Sequence, residues 1–322
     1  MIRLLMALGL SLLAATAASA AVPPATRSAA EYVRDLERGS QTERVAALRA
    51  LEQLGPKAAP VVPGLIKLIE QNDDNYRTAA IAILKAIGPD AQAAVPVLRK
   101  SLTHQDIHTQ YWSCRALGAI GNAAQDAVPD LIALLPRAAA AASVRRNAAL
   151  ALGQLADVAA PRAVEPLIRC LRDPVSQVRA DAALSLGMMG QRATAAVPEL
   201  RLTLKNSASN TRIAAALALW RITQQPTDVL DTLVTELGDS ECPWEAAEAL
   251  AVLGTAAAPG VPRIIPLLKA EDEEVRFSAI DALAAIGPQA RGAIAELTKL
   301  TMSDDQELAQ AAQQALAKIK GK

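Results

Sequence analysis

Apolar residues return along this chain with two periods at once. Within short segments they recur three and four residues apart, the pattern of an amphipathic helix. Between segments the whole pattern returns about every 33 residues, so the chain is an array of similar units. One clear copy is Val178-Arg179-Ala180-Asp181-Ala182-Ala183-Leu184-Ser185-Leu186-Gly187, with close relatives beginning at Val144 and Val275. With the first residue taken as position zero, position eight is Leu51, Leu84, Leu117, Leu152, Leu186, Leu219, Leu250, Leu283 and Leu316. Position four is alanine except at Ser113, and position eleven is always aliphatic or Met189. Positions 0, 4, 8 and 11 share one stripe of a 3.6-residue helix, which must therefore be the buried one.

A second pattern precedes each of these. Apolar anchors such as Val62, Val95, Val128, Val197 and Val261 are followed three residues later by Leu65, Leu98, Leu131, Leu200 and Ile264. Pro63, Pro96, Pro129, Pro198 and Pro262 come directly after their anchors, where the first turn of a helix tolerates a missing amide. Gly55, Gly88, Gly121, Gly190, Gly254 and Gly287 stand where the other helix should stop in a left-handed cap. The expectation is an all-α chain of about nine helix pairs, with Glu31–Arg38 in the first helix of the first pair. One pair cannot cover its own apolar stripe, so pairs must stack into an α-solenoid with a continuous core. Gln306, Gln310, Gln313, Gln314, Lys318 and Lys320 make the last helix a polar cap.

Written out, the motif is Ala-Val-Pro-x-Leu, a polar turn, then Val-Arg-x-x-Ala-x-x-x-Leu-Gly-x-Ile-Gly. It resembles the HEAT-repeat family, in the bacterial form likened to phycobilisome-lyase repeats, over about residues 29–320. The resemblance implies a right-handed superhelix with the second helix of each pair on the concave side. It also implies that the position-one arginines, Arg44, Arg77, Arg145, Arg179, Arg212 and Arg276, bridge to turn carboxylates of adjacent repeats. It does not imply one function, because stacked repeats host many.

The first twenty residues break the pattern. Met1–Ala20 carries Arg3, an apolar run and a terminal Ala18-Ser19-Ala20, the order of a cleavable secretory leader. The run is too short to span a bilayer, so no stable membrane span is expected after cleavage. Residues 21–28, with Pro23 and Pro24, read as a flexible leader before a solenoid over 29–322. The expected location is the periplasm or envelope of a bacterium. Cys114, Cys170 and Cys242 occupy unrelated positions in the pattern and read as small buried hydrophobes rather than a disulfide framework.

Charge and composition narrow the function. The chain has 33 basic and 33 acidic residues, and loss of the leader removes one arginine, leaving 32 against 33. Such a balance gives no pull toward phosphate backbones, and aromatics at 2% leave few platforms for bases, so no nucleic-acid partner is expected. His104 and His108 fall in a turn without the glutamate of a His-Glu-x-x-His motif, and neither precedes a Glu as in HEAT-like di-iron hydroxylases. No catalytic residue, metal or cofactor is expected.

Binding is the better expectation. Opposite the buried stripe lie positions 2, 6 and 9, where Tyr111, Arg146, Trp220, Trp244 and Phe277 fall. Aromatics and arginine dominate interface hot spots, so these five are the candidate partner-binding residues. The alternative is that the large rings pack between neighbouring repeats, as Trp112 at position three does by the same geometry. The chain thus reads as an exported, monomeric, non-catalytic scaffold for a protein or peptide. A lyase-like or glycosylase-like enzyme and a structural envelope component are the competing readings.

Overall fold

The computed structural model describes residues 27–71, 74–136, 141–238, 241 and 243–321. Met1–Ala20, Cys242 and most of the alanine-rich stretch after Pro136 lie outside these described residues. The described residues hold eighteen α-helices and no strand, arranged as nine consecutive pairs. The first helices are α1 (Ala29–Arg38), α3 (Val62–Glu70), α5 (Val95–Ser101), α7 (Val128–Leu134), α9 (Ala156–Cys170), α11 (Val197–Asn206), α13 (Thr227–Leu237), α15 (Val261–Ile264) and α17 (Ile294–Leu300). The second helices are α2 (Gln41–Leu54), α4 (Asp74–Ile87), α6 (Ile107–Ile120), α8 (Ala142–Gln154), α10 (Ser176–Met189), α12 (Ser209–Thr223), α14 (Pro243–Leu253), α16 (Glu273–Ile286) and α18 (Gln306–Lys320). Each pair packs on the next, and the chain is an α-solenoid.

The apolar stripe is buried as its spacing requires. All nine position-eight leucines are buried, eight of them completely, and Leu316 in the last pair is 8% exposed. Position four is buried in every repeat, with Ser113 donating its hydroxyl to the Thr109 carbonyl at 2.7 Å. Prolines sit in the first turn of α3, α5, α7, α11 and α15. At the N-terminal end, Ser28 N–H donates to Glu31 at 2.6 Å, while Arg27 ion-pairs with Asp35 at 2.8 Å and lies over the Tyr32 ring.

Three local expectations need correcting. The glycines after the second helices take positive φ, but with an extended ψ: Gly190 lies at φ 56°, ψ −137°, not in the left-handed helical well. That conformation is open to glycine alone, and it turns the chain into a seven-residue 3-10 segment, Gly190–Ala196, leading to α11. The arginines of position one divide. Arg145 makes a bidentate pair with Asp173 of the next repeat at 2.8 and 3.0 Å, and Arg212 reaches Glu236 of the next. Arg44, Arg179 and Arg276 instead donate to carbonyls of the turn that precedes their own helix, such as Asp173 O and Ala270 O. The carbonyls after the end of each first helix lack helical N–H partners, and these arginines supply the donor.

The third correction concerns position nine. A Cβ on Gly153 would stand 2.8 Å from the Ser185 Cα, and one on Gly187 would stand 2.9 Å from the Ala218 Cα. In the central repeats position nine therefore faces the next second helix, whereas Glu52, Ala251 and Ala317 at the same position are exposed. Small residues let these helices approach closely, whereas the first helices are shorter and joined through 3-10 turns. The more tightly spaced layer lies on the inside of the curve. Two stretches, Tyr76–Ser101 and Pro243–Lys269, are apolar enough to cross a membrane by length and composition. Each runs through a positive-φ glycine, Gly88 or Gly254, and comprises separate helices of the stack.

The core makes a direct prediction. Leu186→Ala should lower stability by roughly 2–5 kcal/mol, because a cavity opens in a core that continues on both sides. Urea or thermal unfolding followed by circular dichroism measures it, with the half-exposed Leu184→Ala as the comparison, for which a much smaller loss is expected.

Candidate functional site

Packing consumes most of the second-helix surface, and what remains outward decides the site. Position two is exposed at Val45 and Trp244, but Ala180 and Ile213 are buried. Trp244 is 47% exposed, on the first turn of α14. Trp220 and Phe277 are only partly exposed and pack against the core, because position nine points at a neighbouring helix and position two of α16 meets α14. The rings expected outward at these two positions are therefore mainly packing elements. Tyr111 meets Trp112 edge to face at 5.4 Å, and Arg115 lies over both rings and donates to the Tyr111 hydroxyl. Arg146 crosses to the next repeat and pairs with Asp181 at 2.6 Å.

A groove of about 550 Å³ opens on this inner layer across α8, α10, α12 and α14. Its floor is aliphatic: Ala180, Leu184, Ile213, Ala214, Leu217 and Val252. Its polar lining includes Arg146, Asp181, Arg221, Glu245 and Glu248. Met188 and Val252, at position ten of α10 and α14, are 43% and 49% exposed and belong to the same layer. Of the five residues singled out from sequence, Arg146 lines the groove and Trp244 sits on the helix that forms its far side. Position ten, and the leucines at the position six already expected outward, are what the sequence analysis did not single out, and the glycines at position nine were the available signal that the outward arc is rotated.

The electrostatics separate paired from unpaired charge. Arg146 and Asp181 neutralise each other, although burial still holds the Asp181 carboxyl above the usual range against the arginine's pull. No ion pair joins Arg221, Glu245 or Glu248 to another described residue. Burial raises the Glu245 carboxyl, and the like charge of Glu248 one turn away raises it further. The outer layer is different. Arg172–Glu199, Arg201–Asp228, Arg263–Asp231 and Arg99–Asp130 link successive first helices at 2.6–2.7 Å. A second depression, about 480 Å³ between Arg99, Pro129 and Arg162, belongs to that outer layer, and its Arg99 is already committed to Asp130.

The thiols and imidazoles lie apart from this groove. Burial pushes the Cys114 thiol up to about 12 and the Cys170 thiol up to about 11, so both remain protonated small hydrophobes. His104 lies 3.0 Å from the Arg77 guanidinium and is held by the turn, while His108 is exposed. Among the described residues no three of His, Cys, Asp and Glu gather as a metal site.

A profile of the family described as HEAT repeats matches residues 62–141, 95–187, 134–220, 164–251 and 230–317. The chain belongs to the HEAT-repeat family. An engineered protein solved by a structural-genomics consortium is 27% identical, with a TM-score of 0.50, over 91% of this chain and 88% of that one. The AP-3 complex, described as a homology model in an intermediate open conformation, aligns at 15% identity and TM-score 0.61 over 86% of this chain and 54% of the other. The karyopherin Kap121p, bound to the extreme C-terminus of the protein phosphatase Cdc14p, aligns at 17% identity and TM-score 0.59 over 90% of this chain and 38% of the other. This HEAT chain thus spans about half or less of those two larger proteins, and the likeness to them is one of fold. No curated protein sequence matches it.

The raised Glu245 carboxyl carries a sign. A folded-state value above the unfolded one means that folding favours the protonated form, so the benefit is full at acid pH and is lost as pH rises through the folded value. Glu245→Gln should therefore raise the melting temperature at neutral pH and change it little near pH 4. A pH series of thermal melts checks this.

Proposed function

We propose that this HEAT-repeat protein is an exported, non-catalytic scaffold that holds a protein segment in the inner groove of its fourth to seventh repeats. One observation carries the reading. In a stack whose position-eight leucines are buried, the aliphatic side chains at position six of the central repeats stay accessible and line a groove beside unpaired charges. An apolar floor with a polar rim is the usual anatomy of an interface. Outer-layer charges are by contrast used up in links between repeats. A protein of the same fold, the karyopherin, is bound to the end of a phosphatase chain, which supports a polypeptide segment as the kind of occupant. Export rests on the order of basic residue, apolar run and Ala18-Ser19-Ala20 in the leader. The scaffold acts as a monomer without a cofactor, since the groove lies within one chain.

The test uses the full gene expressed in a bacterial host with an envelope. A photo-reactive amino acid at Leu184 or Val252 should give a discrete protein adduct that is missing when it is placed at Leu202, which is 53% exposed on the outer α11. Equal labelling at all three positions would remove the groove from the account. Intact mass should show a mature chain beginning at Ala21 in the exported fraction, and a cytosolic chain retaining Met1–Ala20 would contradict export.

A further inference from the structure

Position six, like position ten, is buried in no repeat of the inner layer. Along the stack its identity changes in blocks. The first three repeats place Arg49, Ala82 and Arg115 there, the middle three Leu150, Leu184 and Leu217, the next two Glu248 and Asp281, and the last Gln314. Three of these, Leu184, Leu217 and Glu248, share the single groove already described, so the row is physically continuous across its apolar-to-acidic step. The charges at its ends are available. No ion pair joins Arg49, Glu248 or Asp281 to another described residue, and Arg115 is held in place by the faces of Tyr111 and Trp112. Glu52 and Lys318 oppose the sign of their own ends and Arg221 stands beside the apolar middle, but Lys85 reinforces the basic end and Glu245 the acidic one. The inner surface is thus basic, then apolar, then acidic, from the N-terminal to the C-terminal repeats.

Spacing chooses the form of the occupant. Packed helices lie about 8–10 Å apart. Residues seven apart in a helix are about 10.5 Å apart, whereas same-face residues of an extended strand are only about 6.8 Å apart. A helix crossing the layer can set one apolar residue on each second helix in turn, and a strand falls out of step. From α2, which carries Arg49, to α16, which carries Asp281, there are seven such steps, about 65 Å, or about 45 helical residues.

Resting on the groove reading above, we propose that the occupant is an amphipathic helix with a fixed direction. Its acidic first turns lie over the N-terminal repeats, an apolar residue in each heptad meets the leucine row, and its basic last turns lie over Glu248 and Asp281. Acidic first turns and basic last turns are also the order that the helix dipole favours in the partner itself.

The probe is a synthetic helical peptide of about 45 residues with that charge order, against one of identical composition with the charged ends exchanged. Binding to the mature protein is read by fluorescence anisotropy at low salt. The proposal predicts at least a tenfold preference for the first peptide, shrinking as salt is added. The variant carrying Arg49→Glu, Glu248→Lys and Asp281→Lys changes only exposed side chains and should reverse the preference with its melting temperature retained. Equal binding of the two peptides, binding of neither, or a preference unchanged in the variant would overturn the proposal. A proline-interrupted peptide that binds as tightly would overturn its helical form. Crosslinks at Leu184 and Val252 without any charge-order preference would leave the groove reading standing and this one failed.

Discussion

The close approach of each second helix to the next is the constraint on which the rest of this molecule depends. It is possible because positions four and seven are small and position nine is glycine in the centre of the stack, where Gly153 faces Ser185 and Gly187 faces Ala218. Ser185 turns this closeness into a link between repeats, with its hydroxyl within 2.9 Å of the Ala149 carbonyl one repeat back. Such close spacing leaves no room for rings in most of the layer. An aromatic content of 2% is the compositional trace of that geometry.

From the same constraint follows where function can reside. Side chains excluded from the helix contacts leave through positions six and ten, and those positions become the floor of the groove. Charge sorts itself by layer. On the outer side, arginines and carboxylates of successive first helices meet directly, in exposed pairs that water and salt screen. On the inner side, Arg145–Asp173 and Arg212–Glu236 are buried links, while Arg221, Glu245 and Glu248 are left facing the groove. Surface that neither the core nor the ladder of ion pairs uses is the surface a partner can occupy.

Much of this was legible in the sequence because it rests on periodicity. Nine leucines at position eight announced nine helix pairs, and each is buried where the spacing put it. Prolines after the anchors announced the starts of first helices, and the glycines announced the stops, though not their extended ψ, which depends on the 3-10 segment that follows. The site was only half legible. A single helical wheel places positions 2, 6 and 9 opposite the core, but it knows nothing of the neighbouring helix. Once that neighbour is present, Trp220 is drawn inward and Val252 and Met188 are left outside. Arg146 was found for its type and proved to be paired with Asp181, thirty-five residues away and beyond the reach of any local pattern.

The most direct measurement is hydrogen exchange on Gly187→Val. The new side chain would meet the Ala218 backbone, which cannot retreat without parting α10 from α12. The account predicts a large fall in melting temperature, with amides of α10 and α12 losing protection first while α2 and α18 keep theirs. Unchanged melting and uniform protection would show that the inner layer is not held by close helix contact, and the groove built on it would lose its basis.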